Sequence, residues 1–152
     1  LSLHDALPIY DPANEPDIAY AHLFSYFRGE EWRTQKETQR LLDKYFTTKP
    51  NGIPGNDDTG TMSAWAIFNM IGFYPDCPGL PEYTLTTPVF NKVTIRLDPK
   101  WYKEKELVIE SNRTQPGTLY INKVLLNGKK FNQYRITHDE LVHSQRILFD
   151  LK

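Results

Sequence analysis

Cysteine is almost absent, with one residue, Cys77, in 152. A single thiol excludes an intrachain disulfide framework and a thiolate metal cluster. Net charge is nearly absent too: 18 Lys plus Arg stand against 19 Asp plus Glu. Binding nucleic acid by neutralising phosphates needs a basic face, so this balance argues against it. No apolar run approaches the roughly 20 residues that cross a bilayer, and no membrane span is expected. Residues 1–9 lack the basic start and long apolar core of a signal peptide. Internal repeats and low-complexity stretches are missing as well. What is present is a globular composition of one-domain size, rich in rings and turns, with 9 Tyr, 8 Phe, 3 Trp, 11 Pro and 8 Gly. A sugar-binding surface uses such rigid rings and forced turns, and a plain aromatic core has the same composition.

The chain changes character between Pro75 and Pro81. Before it, apolar residues recur at helical spacing. Tyr20, Leu23, Phe24 and Phe27 predict an amphipathic helix over 17–28, ended by Gly29. Thr34 with Glu37 reads as a capping box for a second helix carrying Thr38, Leu41, Leu42 and Tyr45. A loop over 47–60 follows, too rich in Pro and Gly for a helix interior. The third helix starts near Met62, with Ala64, Ile67, Phe68 and Ile71 on one stripe and Gly72 placed to cap its C-terminus.

After Pro81 the period drops to two. Val93, Ile95 and Leu97 alternate with polar residues, as do Ile147, Phe149 and Leu151, and 107–109 forms a shorter strand-like run. The alternation over 118–126 slips near Lys123, as at a bulge. Asn127-Gly128 is the strongest hairpin turn in the chain, because both central residues of a type I′ turn need positive φ. Helices first and strands afterwards predict an α+β fold with segregated layers, the β region antiparallel.

Two segments could carry chemistry. In Gly52-Ile-Pro-Gly-Asn-Asp-Asp-Thr-Gly60, the adjacent carboxylates Asp57 and Asp58 sit on a loop entering an aromatic-rich helix. A carboxylate presented there can serve as general base toward water. Equally, Asp58, Thr59 or Ser63 can cap the helix, with the neighbouring acid favourable to its dipole. Asn14-Glu15-Pro16-Asp17 offers an amide oxygen and carboxylates, hard donors suited to Ca²⁺. Asn before Pro and an acid is also ordinary helix-start chemistry, and the segment supplies few of the six to eight oxygens calcium takes.

Other residues read more plainly. Trp32, Trp65, Tyr74 and Tyr83 could stack on sugars, but aromatics at helical spacing favour packing. His4, His22, His138 and His143 show no metal-ligand spacing beyond a loose pair in the last two, and read as surface or satisfied core groups. Asn112-Arg-Thr114 matches a glycosylation sequon, a short pattern that arises often by chance. The stretch from Lys100 to Lys105 reads as a solvated turn.

Taken together, several segments resemble glycoside hydrolase family 92 in order and spacing. They are Asn14-Glu-Pro16, Trp32-Arg-Thr-Gln35, Gly55-Asn-Asp-Asp-Thr-Gly60, Met62-Ser-Ala-Trp65 and Gly72-Phe-Tyr-Pro75. Pro88-Val-Phe-Asn-Lys-Val-Thr-Ile95, Leu126-Asn-Gly-Lys129 and Ile136-Thr-His138 resemble the end of that family. The resemblance implies a calcium-dependent, inverting exo-α-mannosidase acting on terminal mannose of glycans, α-1,2-linked above all, including N-glycans, and secreted or periplasmic. Family members are several times longer, with an N-terminal β-sandwich and an (α/α)6 barrel, so this chain resembles only their last part. The implied division is 11–75 as the terminal helices of the barrel and 76–152 as a β-rich end. Residues 1–10, unlike the helix expected before the motif, read as a non-native head.

Residue by residue, the resemblance implies catalytic roles for Asp57 and Asp58, with Asp58 favoured as base and Asp57 as its partner. It implies metal ligation by Asn14 and Glu15 and sugar binding by Glu15 and Asn56. Trp32 and Gln35 belong to a motif near the cleft without an assigned contact. The general acid is a glutamate upstream of this chain; neither Glu30 nor Glu31 sits in a matching context. Where the family has Gly before Asn-Glu-Pro, this chain has Ala13. The implied partners are the mannoside and the missing N-terminal part, without which no turnover is expected. The rival expectation is a non-catalytic carbohydrate-binding or interaction module built on the β region.

Overall fold

The computed structural model describes residues 11–152, so the expected non-native head lies outside the described residues. The chain enters through two 3₁₀ segments, Glu15–Asp17 and Tyr20–Tyr26, in place of the single α-helix expected over 17–28. In a 3₁₀ helix residues three apart eclipse. Tyr20, Leu23 and Tyr26 therefore line one edge, and all three are exposed, while Ala21 and His22 are buried. Of the predicted apolar stripe, Tyr20, Leu23 and Phe27 are exposed and Phe24 is half-buried.

Helix α1 (Glu31–Tyr45) begins three residues before the expected capping box. Thr34 is buried within the helix, and Glu37 pairs with Arg40 at 2.7 Å instead of turning back on Thr34. Gly29, at φ 88°, turns the chain into the helix and donates its N–H to Glu31 Oε2 at 2.9 Å. Helix α2 (Thr61–Ile71) ends at Gly72, whose φ of 117° makes the left-handed C-cap predicted for it. Its buried set is Met62, Trp65, Ala66 and Asn69, whereas Ala64 and Ile67 point outward. The helix is apolar on most sides, so periodicity could not choose the face.

Beyond α2 the chain builds two sheets. Strands β1 (Phe73–Tyr74), β2 (Glu82–Leu85) and β7 (Arg135–Thr137) make a small antiparallel sheet in the order β1-β2-β7. Strands β3 (Lys92–Arg96), β4 (Glu106–Arg113), β5 (Ile121–Leu126), β6 (Lys129–Phe131) and β8 (Arg146–Leu151) make the larger one, ordered β3-β4-β8-β5-β6. The fold is α+β, but the larger sheet is mixed: β8 runs parallel to β4, against the antiparallel expectation. After β6 the chain leaves this sheet, adds β7 to the other, and returns through the short helix α3 (His138–Val142). No hairpin then constrains the direction of β8.

Asn127 (φ 49°) and Gly128 (φ 80°) form the predicted turn between β5 and β6. The slip near Lys123 is a register shift between Ile121 and Lys123 against β8. Gln35 of α1 accepts the Ile121 N–H at 2.9 Å, satisfying the amide at this irregularity from the helical side. Ile147, Phe149 and Leu151 of β8, at 0–1% exposure, form the centre of a core with Leu107, Ile109, Val124 and Ile136. A second cluster, Ala21, Leu41, Leu42, Trp65 and Ala66, holds the helical elements together.

Candidate active site

The loop between α1 and α2 closes on itself where Thr47 N–H bonds Gly52 O at 2.8 Å. Further on, Gly55 packs against Ala13, the residue before the Asn14–Glu15 corner. The two segments singled out by the sequence are thus neighbours in space. No hydrogen bond joins the side chains of one to those of the other among the described residues.

At the end of the loop the two aspartates have different occupations. Asp57 grips the first turn of α2: its Oδ1 accepts Ser63 N–H at 2.8 Å and its Oδ2 accepts Ser63 O–H at 2.6 Å. The Ser63 hydroxyl, then the Ser63 amide, hold its carboxyl below the usual carboxylate range. Asp57 is therefore the capping group. Asp58 stands one residue further on, exposed, with no side-chain hydrogen bond among the described residues. Its backbone is left-handed (φ 28°), as is that of Thr59 (φ 59°) and Gly60 (φ 89°). Two non-glycine residues in succession at positive φ cost on the order of 1–3 kcal/mol each. The Asp58 carbonyl is held by two hydroxyls, Thr59 Oγ1 at 2.6 Å and Thr61 Oγ1 at 2.8 Å, which pin this conformation. Asn56, beside the pair, is exposed and also free of side-chain hydrogen bonds among the described residues.

At the corner, Asp11 Oδ1 accepts Ala13 N–H at 2.9 Å, and Asp17 Oδ2 accepts Asp11 N–H at 3.2 Å and Asn14 Nδ2 at 3.4 Å. These contacts leave the Asn14 amide oxygen and the Glu15 carboxylate exposed and without hydrogen-bond donors among the described residues. No three His, Cys, Asp or Glu side chains gather as a metal site among the described residues. The free donors at the corner are all oxygens, the kind a hard cation takes, and they fill only part of such a shell.

The hollow beside the corner is apolar. Pro12, Ile18, Leu41, Phe46, Met62 and Trp65 line it, and neither aspartate does. The role expected of Asp57 and Asp58 toward a sugar is therefore not carried by this hollow. Trp65 is 3% exposed and stacked on Phe46 at 5.4 Å; Tyr74 stacks on His22 at 4.6 Å; Tyr83 packs on Phe73 and hydrogen-bonds His138 Nδ1 at 2.9 Å. All three pack within the protein, as their spacing favoured. Trp32 stays half exposed, edge-on to Tyr120 and with the Arg33 guanidinium 5.3 Å over its ring. Gln35 is buried in its bond to the Ile121 amide.

A polar cluster behind α2 has no counterpart in the sequence reading. The Arg135 guanidinium bonds both Asp76 carboxylate oxygens, Thr84 Oγ1, Ser25 Oγ and Tyr26 OH, and stacks on the Tyr26 ring at 4.3 Å. Burial pushes the Asp76 carboxyl up, but hydrogen bonds from Thr84 and Arg135, with the Arg135 charge, outweigh it and hold the pKa low. Next to it His22, fully buried, bonds Asn69 Oδ1 at 3.0 Å, and Asn69 Nδ2 in turn donates to Trp65 O at 2.8 Å. Burial lowers the His22 pKa to about 4 against the opposing Asn69 bond and Asp76 charge. The pairs His22–Asn69, Asp76–Arg135 and Ser25–Arg135 lie 47, 59 and 110 positions apart in the chain, beyond the reach of any local pattern.

The profile of the glycosyl hydrolase family 92 catalytic domain matches residues 4–152, and the chain belongs to this family. It is 30% identical over 137 residues to an uncharacterized secreted glycosidase of Arthroderma benhamiae, covering 90% of this chain and 17% of that protein. It is similar to the family GH92 α-mannosidase of Bacteroides thetaiotaomicron in complex with mannoimidazole, at TM-score 0.83 and 31% identity over 92% of this chain and 18% of that one. A GH92 inverting mannosidase of the same species matches 98% of this chain and 20% of its own at TM-score 0.81 and 34% identity. The chain thus spans a fifth or less of the length of these relatives.

Proposed function

We propose that this chain is the C-terminal part of a secreted or periplasmic, inverting exo-α-mannosidase that removes terminal mannose, with α-1,2 linkages preferred, from glycans including N-glycans. The observation that carries the reading is Asp58: an exposed carboxylate, free of hydrogen bonds among the described residues, held in left-handed backbone on the loop whose Gly55 packs against Ala13, in a chain of family 92. Residues 11–75 would be the last helices of an (α/α)6 barrel, and 76–152 its β-rich end.

Inverting hydrolysis needs an acid at the leaving oxygen and a base for water on the opposite face, roughly 6.5–9.5 Å apart. Asp58 is the base: exposed and free of hydrogen bonds among the described residues, its carboxylate can take the proton from the attacking water. Asp57, occupied by Ser63, keeps the loop fixed to α2 and adds negative charge beside the base. Asn56 and Glu15 offer hydrogen-bond partners to sugar hydroxyls. Asn14 and Glu15 would hold Ca²⁺, which supplies positive charge to orient those hydroxyls. The acid comes from the upstream part of the protein, so the 152-residue chain alone is expected to leave α-mannosides intact.

The test is Asp58→Asn in the full-length protein, assayed on an α-1,2-linked mannobioside with mannose binding followed in parallel. Loss of a general base predicts a fall in kcat of ~10²–10⁴-fold with mannose affinity kept. Retained turnover would sink the assignment and favour the non-catalytic, carbohydrate-binding reading of the β region.

A further inference from the structure

Gly55 and Gly60 bracket the acidic residues and are glycine for different reasons. Gly60 has a left-handed backbone, and a Cβ there would meet nothing within 4 Å. Gly55 is outside the left-handed region, but a Cβ there would stand 2.8 Å from Ala13 Cβ, 3.2 Å from Ala13 O and 3.3 Å from Ala13 Cα. Carbon atoms in contact sit about 3.5–4.0 Å apart. None of these three neighbours is the end of a flexible side chain, so only the backbone could yield. Space, not conformation, demands glycine at position 55.

This seam is where the two halves of the candidate site meet. Asn14 and Glu15 follow directly from Ala13, and Asn56, Asp57 and Asp58 follow directly from Gly55. Behind them, the corner is braced by Asp11 and Asp17, and the loop by the Asp57–Ser63 grip on α2. Each half is held by hydrogen bonds on its own side, so the thickness of the seam bears directly on their separation.

We propose that Ala13 and Gly55 are a pair of positioning residues: their close contact sets the distance of Asp58 from the Asn14–Glu15 corner. The inference rests on the role of Asp58 given above and deepens it. Adding one methyl group to the seam moves the proton acceptor relative to a bound sugar while removing neither. A misplacement near 1 Å costs rate steeply, so the loss falls on kcat and spares KM.

The experiment compares Gly55→Ala, Ala13→Gly, the double variant and Asp58→Asn in the full-length protein, measuring kcat, KM and melting temperature on an α-mannoside. Gly55→Ala is expected to lower kcat about tenfold or more with KM within about threefold of the parent. Ala13→Gly clears the nearest clashing atom and leaves the 3.2 and 3.3 Å contacts with the backbone of residue 13, so the double variant is expected to regain part of the lost kcat. A double variant no better than Gly55→Ala overturns the proposal, as does a loss confined to KM or no loss at all. If Gly55→Ala does not fold, Ala13→Val thickens the seam from the opposite side; a kcat-selective loss there supports the proposal and parental kinetics overturn it. An active Asp58→Asn enzyme sinks the assignment of Asp58. Failed rescue beside an inactive Asp58→Asn enzyme sinks the seam alone.

Discussion

Asp57 and Asp58 differ by one position and by nearly everything that decides their chemistry. Both were legible in the sequence as an acidic pair at a helix start, but which one caps was not. That choice is made by a backbone turn to positive φ at Asp58, which swings the second carboxylate off the helix. The grip of Asp57 on Ser63 predicts that Asp57→Ala lowers the melting temperature and reduces kcat less than Asp58→Asn does. The buried histidine makes a prediction about pH. His22 is neutral when folded, with a pKa near 4, and ordinary when unfolded, so below about pH 6.5 the unfolded state binds more protons. Stability should then fall by roughly 1 kcal/mol per pH unit between about 6.5 and 4 and level off below. Asp76, depressed in the folded state, contributes stability above its unfolded pKa and loses it as the pH falls further. Melting temperature against pH for the parent and His22→Gln tests this, and the variant should show the shallower slope above pH 4.

Among the elements, those with an unambiguous local signal formed as read. Strand β8, the Asn127-Gly128 turn and the bulge beside Lys123 each rest on alternation or on positive φ at adjacent residues. The misreadings share a cause: the signal was real, and tertiary contacts used it differently. Thr34-x-x-Glu37 has the pattern of a capping box but lies inside α1, whereas Thr137 and Glu140 form a true one at α3. The stripe on Tyr20, Leu23 and Phe27 has helical period, yet the segment buries His22 to reach Asn69 and winds as 3₁₀. Gly72 is the sharpest test at this scale. Its φ is 117°, and a Cβ would lie 2.7 Å from Pro88 Cγ. Gly72→Ala should cost more than about 1 kcal/mol, read as a shift in the denaturation midpoint. Phe149→Ala, at a fully buried position of β8, should cost ~3–5 kcal/mol by the same measurement.

For the molecule as a whole, the Arg135 cluster ties the layers together: Ser25 and Tyr26 come from the 3₁₀ entry, Asp76 from the turn after β1, and Thr84 and Arg135 from the small sheet. Arg135→Met would leave Asp76 buried without its counter-charge, a loss of ~3–5 kcal/mol expected in the melting profile. The same scale shows why the architecture was only half legible. Strand identity is written in neighbouring residues, but the placing of β8 depends on a route through β7 and α3. That placing has its own bearing on biosynthesis. The β3–β4 and β5–β6 ribbons can each zip as soon as they leave the ribosome, yet the strand that must slide between them is translated after both. Until residues 146–151 emerge, two unpaired ribbon edges wait open, and a nascent chain stalled short of them is the state in which misassembly and proteolysis should concentrate.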